Sequence, residues 1–130
     1  IITNQSVIGR QLASLLQVED INGVISNHLK VFGVEFEFVL ICPHSPEDHC
    51  ECRKPKVALG IKASIEFGVD LEKSYYVGDQ PTDVEFAKNL GCKSVLIIDG
   101  NVHSTDYDYL AQSLTGAAEW IIIDAAKEKL

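Results

Sequence analysis

The chain has 130 residues, 46% of them apolar and 23% charged, with a formal net charge of −8. That length buries a real core in one domain, and the composition is that of a folded, non-disordered protein. The acidity argues against a nucleic-acid partner, and no apolar run approaches the ~20 residues that span a bilayer, so no membrane partner is expected either.

Ile1-Ile2-Thr3-Asn4 reads as the tail of a strand. From Val18 to Phe32 the apolar residues Val18, Ile21, Val24, Ile25, Leu29 and Phe32 recur at helical spacing, with Gly33 as a stop. Glu35 to Ile41 begins in alternation and ends fully apolar, which predicts a strand entering a buried sheet. A polar, proline-punctuated loop follows from Cys42 to Pro55. The pattern then predicts a helix over Val57–Phe67 stopped by Gly68, and a strand over Ser74–Val77. Thr82 with Glu85 reads as a capping box opening a helix that ends at Gly91. Ser94–Ile98 reads as a strand, Tyr107–Leu114 as a short helix and Trp120–Ile123 as another strand, with Asp124 capping a last helical turn. The alternation predicts an α/β fold: a doubly wound parallel sheet with helices on both faces, in a single domain over 1–130. Such sheets bind ligands beyond the carboxyl ends of their strands. The polar residues there are Thr3-Asn4-Gln5, the loop after Cys42, Asp79 and Asp99.

Four clusters carry chemistry. Of the four cysteines, Cys42, Cys50 and Cys52 fall within eleven residues, and His44 lies among them. Three thiolates and an imidazole make a closed tetrahedral zinc site, with a structural and not a catalytic role. Two disulfides or idle thiols are the alternative, but pairing among three cysteines leaves one over and would be reduced in the expected cytoplasmic location. His49 competes with His44 as a ligand. After the strand at Val77, Gly78-Asp79 leads to Asp83. A carboxylate at a strand end suits magnesium, with Asp83 in support, although Gly and Asp are also ordinary turn residues. Arg53-Lys54-Pro55 offers two adjacent cations, Arg for bidentate contact and Lys as a point charge on a phosphoryl group; a solvated surface pair is the alternative. Thr3-Asn4-Gln5-Ser6 places hydroxyls and amides where a turn can cradle an anion.

In this order the residues resemble the haloacid dehalogenase phosphatases that carry a zinc loop: Thr3-Asn4-Gln5-Ser6, then Cys42-x-His44, Cys50-x-Cys52-Arg53-Lys54-Pro55, and Val77-Gly78-Asp79 with Asp83. The relatives it looks most like hydrolyse heptose 1,7-bisphosphate or histidinol phosphate. The resemblance covers Thr3 to about Ile98 and implies hydrolysis of a small phosphorylated metabolite through an aspartyl-phosphate, with magnesium as cofactor. It implies that Thr3 binds phosphoryl oxygens and that Lys54 neutralises nucleophile and phosphate. It further implies that Asp79 ligates magnesium with help from Asp83, and that Asn4, Gln5, Arg53 and Lys54 face the substrate. The family's nucleophile belongs to an Asp-x-Asp at the end of a first strand. Nothing before Thr3 matches it, so a first strand and helix are expected upstream of Ile1, and residues 1–130 are expected to be inactive alone. Asp106-Tyr107-Asp108 has the right spacing but comes too late in the chain and is rejected. Val7 and Gln11 stand where the heptose-type members often carry Gly. The stretch from Thr3 to Ile8 favours a heptose bisphosphate, and the five residues between His44 and Cys50 favour histidinol phosphate. The first lies nearer the expected phosphate and decides for the heptose.

Overall fold

The computed structural model describes residues 1–98 and 106–127. Asp99 lies outside these residues. The chain falls into two compact units, Ile1–Arg53 with Ala58–Gly60, and Lys54–Val57 with Ile61–Leu130. In each, the paired strands run parallel, as the helix–strand alternation requires.

The first unit holds β1 (Ile2–Asn4), α1 (Ser6–Gly9), α2 (Leu15–Lys30) and β2 (Leu40–Cys42). Strand β1 pairs with β2 in the register Ile2↔Leu40, Thr3↔Ile41, Asn4↔Cys42. The paired part of the Glu35–Ile41 run is therefore only its end, because β1 offers three residues to pair with. Helix α2 starts earlier than its apolar spacing suggests. Ser14 caps it by accepting from the Gln17 N–H, while Gln17 Oε1 accepts from the Ser14 N–H. Val18 is the buried residue of α2.

The second unit holds most of α3 (Ala58–Phe67), then β3 (Tyr75–Gly78), α4 (Pro81–Leu90), β4 (Lys93–Ile97), β5 (Tyr109–Ala111) and α5 (Leu114–Lys127). The strands lie in the order β3-β4-β5. Gly68 and Gly91 end α3 and α4 in the left-handed region, at φ 68° and 80°, where a Cβ would be strained.

Three readings of the sequence are corrected here. Tyr107–Leu114 is not a helix, since its centre is β5. Asp108 secures it: the Ser94 N–H and hydroxyl donate to Asp108 Oδ2 at 2.7 and 2.8 Å, which brings Tyr109 into register with Val95. Trp120–Ile123 is not a strand but the middle of α5, which also places Asp124 inside a helix and not at its cap. The β-branched run misleads because the packing is helical. Ala117, Trp120 and Ile121, spaced i, i+3, i+4, turn onto Val95 and Ala111, while Ile122 and Ile123 stay exposed. Finally, α4 begins at Pro81 and not at Thr82, because proline's missing N–H and fixed φ suit the first helical position. Asp83, not Glu85, therefore takes the N3 role.

Asp108→Ala should lower stability by about 1–3 kcal/mol, because the buried Ser94 loses the acceptor of two hydrogen bonds. Asp108→Asn keeps an acceptor and should lose less. Urea midpoints of the three proteins check both.

Candidate functional site

The parallel pairing of β1 and β2 brings the turn after Thr3 and the loop after Cys42 to one carboxyl edge. The Gln5 N–H donates to the Cys42 carbonyl at 2.8 Å, and Gln5 Nε2 donates to Thr3 Oγ1 at 3.0 Å. The loop then folds on itself. The N–H and hydroxyl of Ser45 donate to Asp48 Oδ2 at 2.7 and 2.9 Å. Gly9 lets α1 lie against this turn, since a Cβ there would sit 2.5 Å from the Ser45 nitrogen. Gln11, two residues on, adopts φ 59° and His49 φ 48°, a region non-glycine residues seldom occupy. Gln11 therefore stands at a position whose backbone geometry favours glycine.

All four cysteines are free, and Cys42, His44, Cys50 and Cys52 form one group whose ligand atoms lie within 4.8 Å of one another. Cys42 Sγ is 3.6 Å from Cys50 Sγ and 3.2 Å from Cys52 Sγ, and the last two are 3.7 Å apart. His44 Nδ1 lies 3.8 Å from Cys42 Sγ and 3.2 Å from Cys52 Sγ. Ligands about 2.3 Å from a tetrahedral ion are about 3.8 Å from one another, so the cage is close to the size one ion requires. His49 is exposed and outside this group. Burial, the largest influence, together with the two neighbouring thiols pushes Cys52 up to about 12. Burial is also the largest influence on Cys50 and raises it, but hydrogen bonds from Cys42, from the Arg53 and Cys52 backbone and from the Cys52 thiol leave it lowered. A cation between these thiols would offset the repulsion of their thiolate forms, and these four residues could hold one. Immediately after the cage, Arg53 Nη1 donates to the His44 carbonyl at 3.2 Å.

The second unit builds around Lys54, Tyr76 and Asp83. The Lys54–Pro55 peptide bond is cis. Lys54 Nζ donates to Asp83 Oδ1 at 2.7 Å and to the Tyr76 hydroxyl at 3.0 Å, and lies 5.5 Å from the centre of the Tyr76 ring. The side chains of Lys54 and Asp83 are 12% and 7% exposed, so this is a buried ion pair and not a solvated surface cation. Burial is the largest influence on Lys54 and pulls its pKa down, but the hydrogen bonds and charges of Asp83 and Tyr76 together outweigh it, and the net shift is upward. Burial pushes the Tyr76 phenol up.

Asp83's other oxygen accepts from the backbone N–H of Asp79 at 3.2 Å and of Gln80 at 3.1 Å. Asp83 thus supports Asp79 through the turn. The carboxylate reaches that turn because residue 78 is glycine: a Cβ there would lie 2.3 Å from Asp83 Oδ2. Asp79 itself is exposed just past the end of β3. Tyr76 was not legible as a site residue. Its one signal is strand alternation, which puts it on the same face as Gly78. Asp106 and Asp108 are committed elsewhere, to Lys88 and Ser94.

A family model described as HAD-hydrolase-like matches residues 51–119. The D-glycero-β-D-manno-heptose-1,7-bisphosphate 7-phosphatase of Helicobacter pylori (strain J99) is 32% identical over 123 residues, covering 93% of this chain and 71% of that protein. The histidine biosynthesis bifunctional protein of Blochmanniella floridana is 37% identical over 95 residues, 73% of this chain, and the match spans only 27% of that protein. Among solved structures, D,D-heptose 1,7-bisphosphate phosphatase from B. bronchiseptica, complexed with magnesium and phosphate, superposes with a TM-score of 0.85 at 27% identity, covering 95% of this chain and 73% of that one. The chain belongs to the haloacid dehalogenase-like hydrolases.

Proposed function

We propose that this chain serves the magnesium-dependent hydrolysis of a small phosphomonoester, with a heptose 1,7-bisphosphate as substrate. The observation that carries the reading is the Lys54 ammonium, buried and clamped by Asp83 beside the strand end that presents Asp79. In this reading the positive charge of Lys54 neutralises a phosphoryl oxygen in a poorly solvated setting, where a fixed charge acts most strongly. Thr3 is read as a group for phosphoryl oxygens, and Arg53, Asn4 and Gln5 as groups for the substrate. Asp79, with its turn held by Asp83, is the hard oxygen donor for magnesium, which supplies further charge neutralisation when bound. Heptose is favoured by the Helicobacter pylori relative, which aligns along 93% of this chain, and by the B. bronchiseptica structure. Histidinol phosphate is the alternative, on the identity to the bifunctional histidine-biosynthesis proteins.

For the cage of Cys42, His44, Cys50 and Cys52 we propose zinc, on its soft donor set and its size. With four protein ligands it has no open position, so its role is to order the loop that ends at Arg53. Purified protein should carry one zinc per chain by elemental analysis, and Cys50→Ser should lose most of it and render the 42–54 loop protease-sensitive. Zinc-free protein prepared without chelators would contradict the assignment.

Hydrolysis through an aspartyl-phosphate needs a carboxylate in line with phosphorus. The one Asp-x-Asp in residues 1–130 is Asp106-Tyr107-Asp108, and its two carboxylates are engaged by Lys88 and Ser94. In this reading Lys54, Asp79 and Thr3 bind and neutralise without attacking. Assayed alone with magnesium, residues 1–130 should turn over no phosphomonoester. Joined to a segment bearing the family's Asp-x-Asp strand, they should gain turnover, with higher kcat/KM on heptose 1,7-bisphosphate than on histidinol phosphate. Magnesium-dependent turnover by residues 1–130 alone would show that the nucleophile has been misplaced.

A further inference from the structure

Lys54 has a second partner that the phosphatase reading does not use. Strand β3 sends alternate side chains to opposite faces. Tyr75 packs edge-on to Trp120 and donates to Asp124, whereas Tyr76 turns to Lys54 and Phe86. Gly78 lies on the same face as Tyr76, and its missing Cβ is what admits Asp83. The strand thus brings the tyrosine to the ammonium and makes room for the carboxylate that shares it.

Resting on the reading of Lys54 as the phosphate-neutralising group, we propose that Tyr76 is a positioning residue that acts through Lys54. Its phenol oxygen fixes the ammonium beside Asp83, so that it meets a phosphoryl group in one orientation. An ammonium on a four-carbon stem has three donors and considerable rotamer freedom. Asp83 Oδ1 at 2.7 Å and the Tyr76 hydroxyl at 3.0 Å, both accepting from Nζ, restrict its rotation. Both acceptors are themselves held. Asp83 is bonded to the N–H groups of Asp79 and Gln80. Tyr76 pairs with Ser94 across the sheet, and its ring meets the fully buried Phe86 edge-on at 4.8 Å. The ring centre lies 5.5 Å from Nζ with the hydroxyl oxygen between them, so the ammonium sits beyond the phenol oxygen near the ring plane and the contact is the hydrogen bond.

Tyr76→Phe removes one oxygen and keeps the ring, and Tyr76→Met removes the ring as well. Two readouts on the magnesium-loaded chain test the idea. In a lysine-ammonium NMR spectrum, the Lys54 signal, identified by its loss in Lys54→Met, should be sharp in the wild type and broadened or shifted toward exposed lysines in Tyr76→Phe. An unchanged signal would overturn the proposal. Inorganic phosphate should bind roughly 3- to 10-fold more weakly to Tyr76→Phe, the worth of one hydrogen bond, and Tyr76→Met should lose at least as much. In a Lys54→Met background the Tyr76→Phe change should cost less than about 2-fold. An equal loss in both backgrounds would make Tyr76 a merely structural residue. If the wild type binds phosphate no better than Lys54→Met, the reading of Lys54 itself fails, and the ammonium signal still decides whether Tyr76 holds it.

Discussion

The second unit is organised by one carboxylate. Asp83 is 5% exposed, and its two oxygens face different tasks: one takes the Lys54 ammonium, the other the N–H groups of Asp79 and Gln80. It also sits at the third position of α4, where a negative charge suits the helix dipole. The start of the helix, the turn that presents Asp79 and the place of Lys54 are therefore one constraint. Removing either partner of a buried ion pair leaves an uncompensated charge and costs about 3–5 kcal/mol. Replacing both by apolar residues is often tolerated, which suggests that such a pair is retained for where it puts its charges. Gly78 is the steric condition for all of it.

The first unit depends on a different kind of bond. Its strands are three residues long, and few of its residues are buried, with Cys42 and Ser45 among them. An eleven-residue loop of this composition has little apolar surface with which to order itself. The hydrogen bonds within Ser45–Asp48 and the close approach of Gly9 shape one end. The other end, from Cys50 to Arg53, is tied back by the thiol–imidazole cage and by the Arg53 contact to the His44 carbonyl. The zinc proposed for this cage would supply here what a hydrophobic core supplies elsewhere.

Legibility in the sequence follows from how local the determining contacts are. The cage was readable because its four ligands lie within eleven residues and their chemistry is shared by few other groupings. Strands β1 and β3 and the helices α2 and α3 are readable from periodicity, while the start of α2 is set by the Ser14 cap, which lies ahead of its apolar spacing. Residues 107–123 were misread because contacts from afar decide them: Ser94 draws Asp108 into a strand, and Val95 with Ala111 selects the helical face of Ala117, Trp120 and Ile121. Lys54 and Asp83 each stand out in the sequence, yet their pairing across 29 residues does not, and Tyr76 is hidden altogether because a tyrosine in a strand looks like packing.

The claim on which the account turns is that the buried Lys54 ammonium receives a phosphoryl oxygen. A crystal structure of the chain grown with magnesium and tungstate, a heavy phosphate mimic, tests it directly through the anomalous signal of the metal. The account predicts a tungstate oxygen within hydrogen-bond distance of Lys54 Nζ, with the contact to Asp83 Oδ1 retained. Tungstate bound elsewhere, with Lys54 still enclosed and touching no oxyanion, would contradict it.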